Sequence, residues 1–87
     1  MTTVVKNKVK KVPAKELQNF LNKILASYGI QGSYKIPSSP DMEGDYYIVI
    51  KAKNISSNKK AIELSHLIED VTQKKFGENI YISIIPV

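Results

Sequence analysis

Ser65, His66 and Asp70 are the side-chain types of a nucleophile, a base and an orienting carboxylate, set close together in the chain. Neighbouring residues on a helix point about 100° apart, so Ser65 and His66 are poorly placed for the hydrogen bond that nucleophilic catalysis needs. His66 and Asp70 read instead as an i,i+4 surface pair. Asp41, Glu43 and Asp45 flank Gly44 and offer oxygen ligands to a hard cation. A calcium loop, however, puts its glycine at the sixth position and a further Glu at the twelfth. The spacing here implies a solvated acidic turn and no metal. The chain has no Cys and one His, which removes thiolate chemistry and most nitrogen-rich metal sites. It has no phosphate-binding glycine loop, dinucleotide fingerprint or paired-histidine motif. The expectation is a noncatalytic protein without a cofactor.

The lysines carry more information. All thirteen basic residues are Lys, against eight acids, for a net charge of +5. Lys6, Lys8, Lys10, Lys11 and Lys15 fall in residues 1–15 with no acid among them, and residues 16–87 are balanced. A localised positive stretch attracts polyanions by releasing their condensed counterions, without sequence readout. The absence of Arg removes the planar fork used for bidentate reading of guanine, so base-specific duplex recognition is disfavoured. Lys51, Lys53, Lys59 and Lys60 form a second group. The last two precede a helix whose free amides favour an anion, making them a secondary anion site.

Several elements must position these residues. A length of 87 residues corresponds to a single domain, with 1–12 as a basic strand or arm and 13–87 as an α/β body. In Thr2 to Val12, β-branched residues alternate imperfectly with Lys, suggesting a strand. Pro13 suits a helix start, and Leu17, Phe20, Leu21, Ile24, Leu25 and Tyr28 make one apolar stripe closed by Gly29. Ser33 to Ile36 is a short strand candidate, followed by a loop through Pro37 and Pro40. Tyr46 to Lys53 is a strand with Tyr46, Ile48, Ile50 and Ala52 on its apolar side. A second helix runs to about Lys75 and is expected to bury Ala61, Leu64, Leu67, Ile68 and Val71. Ile80 to Ile85 closes the chain as a strand that is apolar on both sides.

This order implies an α+β fold: a ferredoxin-like β-α-β-β-α-β sandwich with two helices on one face of a three- or four-stranded, mainly antiparallel sheet. If the amino-terminal stretch does not pair, the layout is α-β-β-α-β, similar to a KH-type arrangement with a basic arm. In the ferredoxin-like case the open sheet face resembles that of the RNA-recognition motif. The segment Glu43-Gly-Asp-Tyr-Tyr-Ile-Val-Ile50 keeps that motif's Gly44 and Tyr47 positions. It places Glu43 where a basic residue belongs and Asp45 where an aromatic belongs. The KH comparison meets Ser56-Ser-Asn-Lys-Lys60 where a glycine-flanked loop belongs.

The open face would carry Lys6, Lys8, Lys10, Tyr47, Lys51, Lys53 and Tyr81. Lysines neutralise phosphates and tyrosines stack on bases. The expected function is single-stranded RNA or DNA binding through Lys6, Lys8, Lys10, Lys11, Lys51 and Lys53, with Tyr47 and Tyr81 stacking. The alternative is a protein-interaction or homo-oligomeric module, including a homodimer, built on the apolar last strand. No segment has the length and apolarity of a membrane span, so a cytoplasmic protein is expected.

Overall fold

The computed structural model describes residues 12–87. The first helix, α1 (Ala14–Ser27), buries Leu17, Leu21 and Leu25, one helical turn apart on a single face. Each fully buried leucine contributes about 1.5–3 kcal/mol by leaving water. Pro13 is the N-cap residue. At the other end the Gly29 amide donates to the Ala26 carbonyl at 3.0 Å and the Ile30 amide to the Leu25 carbonyl at 2.9 Å. This closure needs a left-handed residue, and Gly29 supplies it at φ 70°.

The chain continues through β1 (Gly32–Ser33), β2 (Tyr46–Ala52), α2 (Asn58–Phe76) and β3 (Ile80–Pro86). The sheet order is β1-β2-β3, with β1 antiparallel to β2 and β2 parallel to β3. Alternation with period two sends Tyr46, Ile48, Ile50, Ala52, Ile80, Ile82 and Ile84 into one core with the buried faces of both helices. Among the described residues, the two helices therefore cover one side of the sheet and leave the other open. Ser57 caps α2, its hydroxyl accepting from the Lys60 amide at 3.2 Å.

The α+β class and the one-sided helical layer match the sequence reading; three details differ. First, the sheet is mixed rather than mainly antiparallel, because its longest pairing is parallel. A ferredoxin-like sheet would seat the amino-terminal strand between β2 and β3, whereas here these two pair directly. That strand lies outside the described residues, whose elements run α-β-β-α-β. Second, the pairing expected over Ser33 to Ile36 involves only Gly32 and Ser33. Third, α2 buries Ala61, Ile68, Thr72 and Phe76, and Leu67 is 44% exposed. A purely apolar pattern misses this face because it contains hydroxyls. Thr72 Oγ1 donates to the Ile68 carbonyl at 2.6 Å and Ser65 Oγ to the Ala61 carbonyl at 2.7 Å, so both enter it with their hydroxyl donors satisfied.

Tyr46 is the largest buried side chain, and its hydroxyl accepts the Val12 amide at 3.2 Å within the core. Substitution Tyr46→Phe leaves that amide without its acceptor and is expected to cost about 1–3 kcal/mol. Urea denaturation of the two proteins measures the difference; equal midpoints would contradict the assignment.

Candidate nucleic-acid interface

The open side of the sheet is built from alternate residues of two parallel strands. The register sets Tyr47 beside Tyr81, Val49 beside Ser83 and Lys51 beside Ile85. Their exposures are 56% for Tyr47, 46% for Val49, 38% for Tyr81 and 40% for Ile85. The Tyr47 and Tyr81 rings stack on each other, with centroids 5.0 Å apart and planes 15° from parallel. This pair joins neighbouring strands while both rings stay partly exposed to solvent.

The chain after β1 borders this face. Antiparallel pairing places Ser33 opposite Lys51, and a groove of about 520 Å³ is lined by Ser33, Tyr34, Lys35, Tyr47, Val49 and Lys51. Tyr34 is fixed against α1: its hydroxyl donates to Asn22 Oδ1 at 2.5 Å, with the Gln18 carbonyl 3.1 Å away. Partial burial raises its pKa above the ordinary tyrosine value. Tyr34 and Lys35 also line a neighbouring groove with Lys15 and Gln18. Lys15, Lys35 and Lys51 consequently follow one path from the start of α1 onto the open sheet. Among the described residues the one side-chain ion pair is Lys74 with Asp70, 3.2 Å apart and well exposed. The i,i+4 partner of Asp70 is thus Lys74 rather than His66.

The other sequence candidates fall as follows. Lys6, Lys8, Lys10 and Lys11 lie outside the described residues. Lys51, Tyr47 and Tyr81 share the open face. Lys53 follows the end of β2 at the Lys51 end, and its amide donates to the Gln31 carbonyl at 2.8 Å. Lys59 and Lys60 are exposed in the first turn of α2. Lys60 lines a separate cavity of about 380 Å³ with Tyr28, Asn54 and Ser57. Lys15, Lys35 and Tyr34 were not singled out as ligand contacts by the sequence. Their proximity to Lys51 depends on pairing across the sheet, and the signal that points to it is the short antiparallel return before the Pro37 to Pro40 turn.

Asp41, Glu43 and Asp45 have carboxylate oxygens within 4.8 Å of one another. The Asp41 Oδ1 atom accepts the amides of Glu43 and Asp45, both at 2.9 Å, so the turn itself draws these side chains together. Their field reaches Tyr47. Its pKa is raised first by partial desolvation and then by Asp45, Asp41, Tyr81 and Glu43. The open face is therefore polar in the electrostatic sense, acidic beside the start of β2 and basic beside its end. A raised tyrosine pKa means that the fold favours the neutral phenol, so this contribution to stability holds below the ordinary value. It is lost as pH rises through about 10 toward the folded-state value. Wild type is expected to lose more stability than Tyr47→Phe over that alkaline interval, measured by urea midpoints; parallel curves would contradict it.

Comparison with protein-family models, with curated proteins and with solved structures finds no match to this chain.

Proposed function

We propose that this protein is a noncatalytic domain that binds single-stranded RNA or DNA on the open face of its sheet. The observation that carries the reading is the juxtaposition of an exposed tyrosine stack with the path Lys15, Lys35 and Lys51. Lysines along a groove track a phosphate backbone, and an outer tyrosine face takes a base without regard to its identity. Lys15, which lines this path, is also the last lysine of residues 1–15, a stretch whose sequence carries a charge of +5. The acidic turn at Asp41 to Asp45 disfavours phosphates near the start of β2, which directs the backbone toward Lys35 and Lys51.

Fluorescence anisotropy with labelled single strands tests the proposal. Micromolar or tighter binding is expected in about 50 mM salt, weakening steeply as salt increases. Absence of binding to single-stranded RNA, single-stranded DNA and duplex under that condition would refute it.

A second reading is supported by Val49 and Ile85, which extend the tyrosine pair into an exposed apolar strip suited to a protein partner. It predicts salt-insensitive association through the face. No helix among the described residues is long and apolar enough to cross a membrane.

A further inference from the structure

Parallel pairing directs the backbone groups of alternate β3 residues toward β2 and those of Ile80, Ile82 and Ile84 toward the opposite edge. Outward groups of this kind are an open template for another strand. On this edge, three of them already have side-chain partners from α2. The Ile84 amide donates to Ser65 Oγ at 2.7 Å, the Ile82 amide to Glu69 Oε2 at 2.8 Å, and Gln73 Nε2 donates to the Ile80 carbonyl at 2.7 Å.

Ser65, Glu69 and Gln73 are spaced one helical turn apart, so they form a row along α2 facing the edge of β3. Their chemistry follows the backbone: two acceptors meet two amides and a donor meets a carbonyl. Ser65 meets both demands at once, accepting from Ile84 while donating to Ala61. All three are partly buried, where an unpaired amide or carbonyl is costly. Ser65 and Glu69 of the row line one side of a groove of about 400 Å³ with Ile62 and His66, and residues 82–85 of β3 line the other. What the row takes up is the hydrogen-bonding capacity of the Ile82 and Ile84 amides at the floor of this groove, which a further strand would need.

We propose that Ser65, Glu69 and Gln73 constitute a built-in edge block, a row of helix side chains that substitutes for a neighbouring strand and keeps β3 from pairing with a second copy of this chain. The inference is independent of the nucleic-acid reading, because the block lies at the sheet edge and the proposed ligand path crosses the open face. Its occupant in the unblocked state is the β3 edge of another copy. The isoleucines along the edge and the high β-propensity of the sequence Ile80 to Ile85 favour that self-pairing.

The test is the full-length Ser65→Ala/Glu69→Ala variant. Sedimentation velocity is expected to show concentration-dependent self-association where wild type sediments as a monomer. Amide exchange at Ile82 and Ile84 in the dilute variant is expected to accelerate roughly tenfold. A folded variant that stays monomeric at every concentration would overturn the proposal, as would a wild type that dimerises through β3. If the double variant does not fold, Glu69→Ala decides: self-association with faster exchange at Ile82 supports the block, and a monomer with unchanged exchange overturns it. Glu69→Gln, which keeps an acceptor oxygen, is expected to remain monomeric.

Discussion

Substitution of Lys15, Lys35 and Lys51 by Gln is expected to flatten the salt dependence of single-strand binding. Each lysine engaged with a phosphate adds about 0.7 to the slope of log affinity against log salt, so the triple variant should lose roughly 2 from that slope. On a rise from about 50 to 200 mM salt, wild type would then lose about 20-fold more affinity than the variant. The three lysines line two grooves that share Tyr34 and Lys35, and among the described residues none of the three is in a side-chain ion pair. All three are exposed, so the substitutions should leave the fold intact. A salt slope identical to wild type would show that the bound strand does not follow this path.

The second large effect is expected from Tyr47→Ala/Tyr81→Ala. Stacking of a base on an aromatic side chain contributes about 1–3 kcal/mol, so one base lost from the outer ring faces weakens binding by roughly 5- to 150-fold. The salt slope should be unchanged, which separates this variant from the lysine variant. Removing the cross-strand pair itself costs about 0.2–1 kcal/mol of stability, too little to unfold the domain. Tyr47→Phe/Tyr81→Phe should bind like wild type, because the stacking surface remains. If the alanine variant also binds like wild type, the tyrosine pair serves only to join β2 and β3.

Much of this architecture was legible in the residues. The stripe through Leu17, Leu21 and Leu25, the stop at Gly29 and the two-residue period of Tyr46 to Ala52 and Ile80 to Ile84 each report a local preference that the packing preserves. The α2 face was less legible, because hydrophobicity alone ranks Leu67 above Ser65 and Thr72. The fold buries Thr72 and half-buries Ser65, since helix carbonyls satisfy their hydroxyl donors. Sheet order was not legible at all. Direct parallel pairing of β2 with β3 depends on how α2 crosses between them, and neither strand's sequence encodes which neighbour it takes.

The candidate site divides along the same line. Tyr47, Tyr81 and Lys51 were found by period-two alternation, a local signal. Lys15, Lys35 and the edge row of Ser65, Glu69 and Gln73 acquire their roles only through contacts distant in sequence. Even so, a row of polar residues every fourth position beside an apolar helix face is readable as a pattern. Its partner strand is what the linear chain withholds.

In the proposed complex a single strand lies on the open face of the sheet. Backbone NMR during titration with a short single-stranded oligonucleotide tests it most directly. The largest amide shifts are expected to cluster at Lys35, Tyr47, Val49, Lys51 and Tyr81. Shifts confined to the α2 amino terminus around Ser57 to Lys60, with those residues unmoved, would contradict it.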